Sequence, residues 1–144
     1  MSKALVISEG DVESDAWSDP IRGDVAFRTI FGGAVTTADF TVGVADLEAG
    51  GWLGQHRHDP AEIYHVISGR GILSIDGQDR EVGAGTVAYI PGNSEHGIRN
   101  TGSGRLRFFY AFAVGSFEEI EYHFTADREH SVAESSSEGA SIPG

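Results

Sequence analysis

The chain has 144 residues, which suits one folded domain and is too short for a second folded unit beside it. Its formal net charge is -12 with only ten Lys and Arg residues, which argues against nucleic acid as a partner. It has no cysteine, so disulfides and thiolate ligands are excluded, and any metal must be held by nitrogen and oxygen atoms.

The opening segment, residues 1–24, carries a few apolar residues that include Trp17, and we expect it to pack on the main domain or on a partner subunit. Its first fifteen residues lack the basic stretch and following apolar stretch of a secretion signal. No run of the chain approaches the roughly 20 apolar residues that span a bilayer. We therefore expect a cytoplasmic protein that binds no membrane.

Short segments rich in β-branched and aromatic residues follow, separated by Gly, Asp, Asn or Pro, and no stretch keeps a helical period. The pattern predicts an all-β barrel or sandwich over residues 25–124. Asp76-Gly77 predicts a two-residue hairpin turn, because both positions tolerate positive φ. We expect strands near residues 25–31, 37–47, 62–68, 71–75, 86–90, 97–99, 105–113 and 119–124.

The end of the chain, residues 125–144, differs in composition from the predicted strands. Its last part, residues 131–144, is rich in Ser, Glu and Gly and has few large apolar side chains. Such a segment buries too little surface to offset the entropy lost on ordering, so we expect a flexible tail.

Four residues form a candidate metal site: His56, His58, Glu62 and His96. His56 and His58 are two positions apart, which on a strand directs both imidazoles to one face. After an Asp-Pro-Ala turn, Glu62 and Tyr64 share one face of the next strand, and a closed barrel would return His96 to the same place. A lone histidine is more often a core or surface residue, but four residues with matching strand parity favour a metal site.

The predicted ligand set is three nitrogens and one carboxylate, which leaves two positions of a six-coordinate ion for water or substrate. Such ligands suit one divalent ion of several kinds, namely Fe(II), Mn(II), Ni(II), Co(II), Cu(II) or Zn(II).

The same residues resemble the two motifs of the cupin family. Every fixed position of the first motif is matched, by Gly50, His56, His58, Glu62 and Gly69. The second motif is matched by Gly85, Pro91, His96 and Asn100, with Asn93 in a position where the family usually has Gly. Asn is the next most tolerant residue of a left-handed backbone, so the turn should persist. The resemblance implies an all-β, single-domain cupin, which is a double-stranded β-helix or jelly-roll barrel.

Residues 60–64, 89–96 and 116–122 also resemble the small cupin lyases that cleave dimethylsulfoniopropionate, and the similarity runs over residues 50–124. It implies a metal-dependent lyase that removes the α-proton of a small carboxylate substrate and releases dimethyl sulfide and acrylate. Tyr64 matches the family's base, and Tyr122 matches a second tyrosine that could orient the substrate or hold its sulfonium group. Each tyrosine could instead be a packing residue.

Two other functions remain open at this point. One is an Fe(II)-dependent dioxygenase that uses the same four ligands, and the other is a cupin that binds a small molecule without catalysis. The stripe Phe108, Tyr110 and Phe112 is expected to line the barrel. Strand parity places His65 and Arg57 on faces away from the metal. Apolar residues left over in the N-terminal segment favour a homodimer.

Overall fold

The computed structural model describes residues 3–126, so the segment 131–144, for which we predicted a flexible tail, lies outside the described residues. Within residues 3–126 no helix has the length and hydropathy that crossing a bilayer would need. Short 3₁₀-helices cover Glu9–Asp11 and Phe117–Glu119. The strands of the described part are β1 Asp15–Asp19, β2 Gly23–Phe31, β3 Thr41–Leu47, β4 Trp52–Arg57, β5 Glu62–Ser68, β6 Arg70–Ile75, β7 Gln78–Gly83, β8 Val87–Ile90, β9 His96–Asn100, β10 Leu106–Phe112 and β11 His123–Phe124.

These strands form one sheet in which each pair of neighbours is antiparallel. The spatial order is β7-β6-β9-β4-β2-β3-β10-β5-β8, with β1 paired to β2 and β11 paired to β4. The sheet curls around a single apolar core, so the predicted all-β jelly-roll architecture is confirmed.

Strand β10 shows how the sheet separates its two faces. Its side chains alternate between buried and partly buried, and the inward set consists of Leu106, Phe108, Tyr110 and Phe112. Burying an apolar side chain of this size stabilises the fold by roughly 1.5–3 kcal/mol. The prediction that this stripe lines the barrel is therefore confirmed.

Two predicted strands are shorter in the structure because polar side chains make local turns. Strand β3 begins at Thr41 rather than at residue 37, since the Thr37 hydroxyl accepts hydrogen bonds from the Asp39 and Phe40 amides at 3.3 and 3.0 Å. The strand predicted over 119–124 is reduced to β11, because a 3₁₀-helix with a capping bond from the Glu118 amide to the Ser116 hydroxyl precedes it. Strand β1 was not predicted, and β4 and β7 were not among the expected strand ranges.

Two turns were predicted correctly from residue type. Asp76 and Gly77 have φ of 49° and 81° between Ile75 and Gln78, which pair directly, so the two-residue hairpin is confirmed. Asn93 has φ of 63°, which is the left-handed conformation that we expected it to adopt in place of Gly. The turn that leads to His96 is thus formed as predicted.

Candidate metal centre and the cavity beside it

The structure brings the four predicted ligand residues together. His56 lies near the end of β4, His58 directly after that strand, Glu62 at the start of β5 and His96 at the start of β9. Each offers one ligand atom, and these atoms all lie within 4.8 Å of one another. All four residues are at most 3% exposed, so their polar atoms face one another inside the barrel.

Backbone contacts hold these segments in register. His56 of β4 pairs directly with His96 of β9 in the sheet. The Asn93 amide donates a hydrogen bond of 2.7 Å to the His58 carbonyl, which joins the turn before His96 to the segment of His58. Gly92 is required in that turn, because a Cβ there would lie 2.3 Å from the Asp59 carbonyl oxygen. The ligands are therefore positioned by the main chain.

The three imidazoles are oriented in the same way. The Nδ1 atom of His56 lies 2.7 Å from the Gly54 carbonyl oxygen. The corresponding distances are 2.9 Å from His58 to Pro60 and 2.9 Å from His96 to Ser94. A carbonyl oxygen can only accept, so each Nδ1 carries the proton and donates it. This directs each Nε2 away from the backbone, which is the orientation found in histidine metal ligands.

The donor atoms of the cluster suit a cation. Glu62 Oε1 lies 3.2 Å from His58 Nε2 and 3.1 Å from His96 Nε2, so a carboxylate oxygen and two ring nitrogens converge on one place. Burial, followed by the nearby charge of His96, lowers the pKa of His56 well below its usual value and favours its neutral form. This cluster of electron-rich atoms suits one metal ion.

A cavity adjoins the cluster, and Glu62 forms part of its lining. Its lining is mostly aromatic and aliphatic, and among the lining residues that the structure describes only Glu62 carries a charged side chain. Both predicted tyrosines border this space, as do three aromatic residues that sequence analysis did not connect with the site. The three are Trp17, Phe27 and Phe117.

Three tyrosines border the cavity, and their hydroxyl groups differ. The Tyr110 hydroxyl lies 3.3 Å from the Thr29 hydroxyl. Neither the Tyr64 hydroxyl nor the Tyr122 hydroxyl forms such a hydrogen bond with another described residue. Burial, followed by the negative charge of Glu62, raises the pKa of both Tyr64 and Tyr122 well above the usual value. Both are therefore neutral phenols unless positive charge lies close by.

Other histidines and the arginine near the first motif lie away from the cavity. His65 is exposed on the outer face of β5, as strand parity predicted. Arg57 lies 4.0 Å from Glu95 with a side chain 41% exposed, and the His123 side chain is 58% exposed. His130 is outside the described residues.

The aromatic residues that sequence analysis missed come from distant parts of the chain. Trp17 lies on β1, Phe27 on β2 and Phe117 in the second 3₁₀-helix. No spacing rule connects such positions, and only the fold brings them together. The large apolar side chain of Trp17 in the opening segment was the signal that the sequence offered.

Comparison with known proteins agrees with this architecture. The family model described as cupin domain matches residues 43–112. The chain is 43% identical over 121 residues to the dimethylsulfoniopropionate lyase DddW of Ruegeria pomeroyi, an alignment that covers 83% of this chain and 79% of that protein.

Two further similarities are more distant. An oxalate-binding protein of Thermotoga maritima is 35% identical over 63 residues, which are 43% of this chain and 52% of that protein. The solved structure of the polyketide cyclase RemF from Streptomyces resistomycificus superimposes with a TM-score of 0.70 at 18% identity, covering 85% of this chain and 86% of the cyclase. At that identity the likeness concerns the fold. The matched domain, the barrel and the extent of the similarity to DddW together show that this chain belongs to the cupin family.

Proposed function

We propose that this chain is a metal-dependent lyase that cleaves dimethylsulfoniopropionate to dimethyl sulfide and acrylate. The observation that carries the proposal is the 43% identity to a dimethylsulfoniopropionate lyase over most of both chains. The buried cluster of His56, His58, Glu62 and His96 and the adjoining cavity supply the groups that such a reaction needs.

The reaction is a β-elimination, and Tyr64 is the residue that we assign as its base. The Tyr64 phenolate takes the proton from the α-carbon, the C–H electron pair forms the new double bond, and the C–S pair leaves with neutral dimethyl sulfide. Tyr64 lines the cavity only two positions from Glu62 on β5, so its oxygen belongs to the same inner face as the metal ligands.

The charge near Tyr64 determines whether its hydroxyl can lose a proton and act as the base. In the protein alone, burial and Glu62 hold its pKa far above the working range. A divalent ion bound at the cluster would supply positive charge that favours the phenolate and would take the substrate carboxylate. Fe(II), Mn(II), Ni(II), Co(II), Cu(II) and Zn(II) all suit three imidazoles and one carboxylate, with iron the first to test.

Tyr122 is assigned a role in holding the substrate. Its ring centroid lies 5.1 Å from that of His56 and 5.2 Å from that of His58, so it borders both the cluster and the cavity. A substrate with its carboxylate at the cluster would extend along the Tyr122 ring. We therefore expect changes at Tyr122 to affect substrate binding as well as turnover.

The test is to load the protein with Fe(II), Mn(II), Ni(II) or Zn(II) in turn, add dimethylsulfoniopropionate and measure dimethyl sulfide in the headspace. We expect release with at least one ion. Tyr64→Phe should retain the ion and lose about 10²–10⁴-fold in kcat, because the general base is removed. Tyr89→Phe is the matched control, since Tyr89 is 66% exposed on β8 and far from the lining of the cavity.

Three outcomes would contradict the proposal. Absence of dimethyl sulfide with every ion removes the lyase function. Oxygen consumption during turnover would instead indicate a dioxygenase, since elimination needs no oxygen. Tight binding of the substrate without turnover would indicate a binding protein, a function that the partial similarity to an oxalate-binding protein makes worth testing.

We also propose that the protein forms a homodimer through the outer face of β5 and β8. Ile63, Ile67, Val87 and Tyr89 are 43–66% exposed there, and register pairs Ile63 with Tyr89. An exposed apolar face of this kind is typical of an interface. The outward side chains of these two strands include no carboxylate, so a second copy would meet little like-charge repulsion at this face itself. Val87→Glu should convert a dimer to a monomer in light scattering, whereas a native monomer would refute the assignment.

A further inference from the structure

Four aromatic residues that line the cavity have rings in mutual contact, and we call them the aromatic wall: Trp17, Phe27, Phe117 and Tyr122. The ring centroids of Trp17 and Phe27 are 5.1 Å apart, and those of Phe27 and Phe117 are 6.0 Å apart. Phe117 and Tyr122 follow at 5.8 Å, and Tyr122 and Trp17 close the circuit at 5.4 Å. Each ring therefore touches two others of the set.

The charge balance of the cavity makes this wall a candidate site for a cation. Glu62 is the single charged side chain among its described lining residues, and it belongs to the metal cluster. A zwitterionic substrate that places its carboxylate at the cluster must leave its positive group elsewhere. No carboxylate remains to receive that group, whereas aromatic faces attract cations, most strongly when water is excluded.

The wall residues and the cluster residues come from different parts of the chain. The cupin domain match covers residues 43–112 and includes all four cluster residues. All four wall residues lie outside that span, on β1, on β2, and in the segment after β10. The metal cluster is thus part of the common barrel, and the wall is contributed by the segments that flank it.

Trp17 is held in place by its own strand and by the segment before it. Strand β1 pairs with β2 so that Trp17 lies opposite Val25. The segment before β1 is tied to the sheet through Glu9, which forms an ion pair with Arg107 and accepts a hydrogen bond of 3.1 Å from Arg28 at its carbonyl. The partly exposed Arg22 guanidinium lies 5.1 Å from the Trp17 ring centroid and pairs with Asp19. The indole is therefore set in position before any ligand arrives.

We propose that the aromatic wall is a binding site for the onium group of the substrate, and that Trp17 determines the specificity of the enzyme for a positively charged β-substituent. The inference rests on the proposed function, since it assigns the second end of the same substrate. It implies that a quaternary ammonium group fits in place of the sulfonium group, because both are compact, methylated cations.

The test compares two ligands of the same shape and different charge. One is the trimethylammonium analogue of dimethylsulfoniopropionate, and the other is the carboxylate in which a tert-butyl group replaces trimethylammonium. Dissociation constants are measured by calorimetry on the metal-loaded protein, and their ratio cancels the contribution of the shared carboxylate. In the native protein the charged ligand should bind about ten-fold more tightly, which is the scale of a partly desolvated cation–π contact.

Variants then assign the preference to Trp17. Trp17→Leu should lower the ratio about five-fold, whereas Trp17→Phe, which keeps an aromatic face, should retain most of it. Trp52→Phe is the control, because Trp52 lies outside the lining of the cavity. Since the chain has two tryptophans, this control also leaves Trp17 as the sole indole, and its fluorescence should change when the charged ligand binds.

The outcomes separate this inference from the proposed function. A ratio near one in the native protein overturns the cation site even if dimethyl sulfide is released. An unchanged ratio in folded Trp17→Leu overturns the role of Trp17, with folding checked by thermal denaturation. If the charged ligand is preferred and the preference falls in Trp17→Leu, the site stands even where no lyase activity is found.

Discussion

The metal cluster and the aromatic wall meet at Tyr122, but they are built in different ways. Each imidazole of the cluster is directed by a hydrogen bond to a backbone carbonyl within two residues of it in the chain. Within residues 3–126 the wall has no comparable bonds to direct its rings, which are positioned by contact with one another. The cluster is thus determined locally and the wall by tertiary packing.

This difference separates two tasks of the site. A metal ion requires ligand atoms at defined distances, which short backbone hydrogen bonds provide. A methylated cation requires only an apolar, electron-rich surface, and that surface tolerates small shifts of its rings. We therefore expect substitutions in the cluster to have large effects on ion binding, and substitutions in the wall to change ligand preference while the ion stays bound.

The largest effect is expected from Glu62→Gln, which removes the single anionic ligand of the cluster. Loss of an outer partner of a metal ligand already costs about 10–100-fold in metal affinity, so loss of the carboxylate should cost about 100-fold or more. At saturating metal a 100-fold weaker site lowers the ion's contribution to stability by about 2.7 kcal/mol. Calorimetric titration with Zn(II) and thermal unfolding with and without the ion measure both quantities.

Glu81→Gln is the control for charge, because Glu81 lies exposed on β7. It makes the same change in net charge and should leave the metal affinity unchanged. Metal binding by Glu62→Gln at native affinity would show that the carboxylate is not a ligand. The expectation that cluster substitutions have large effects on ion binding, in contrast to wall substitutions, would then be wrong.

The same contrast explains how much the sequence could predict. His56, His58, Glu62 and His96 could be identified because ligand spacing, strand parity and the Pro91 turn are local properties, and the structure brings exactly these side chains together. The hairpin at Asp76 was predictable because its turn depends on two residues. By contrast, strand β1 and the wall depend on contacts between residues far apart in the chain, which the large apolar side chain of Trp17 alone did not reveal.

The pH dependence of stability should report on the cluster alone. In the metal-free protein, burial and the neighbouring His96 charge lower the pKa of His56, whereas the unfolded chain has an ordinary value of about 6.5. Below about pH 6.5 the unfolded chain therefore binds a proton that the folded chain does not. Stability is complete above this pH and falls as the pH decreases, by up to about 1.4 kcal/mol per pH unit.

Urea unfolding of chelator-treated protein at pH 7.5 and pH 5.5 measures this slope. His56→Asn should flatten it, and His123→Asn should not, because His123 is exposed on β11. Equal slopes in the native protein and in His56→Asn would show that His56 does not govern the acid sensitivity. Substitutions of Trp17, Phe27 or Phe117 should leave the slope unchanged, since these side chains carry no titrating group.

The smallest effect on ion affinity is expected from Phe117→Leu, which removes one ring of the wall. Phe117 stacks on Phe27 and Tyr122 without touching a cluster residue through its ring, so loss of these contacts should lower the free energy of unfolding by about 1 kcal/mol. The affinity for Zn(II) should change less than about two-fold, because the Phe117 ring reaches the cluster only through Tyr122 and such indirect coupling is weak. A large loss of metal affinity in the folded variant would mean that the wall supports the cluster through Tyr122. The two regions would then form one cooperative unit, and the preference for a charged ligand could no longer be changed without changing the ion site.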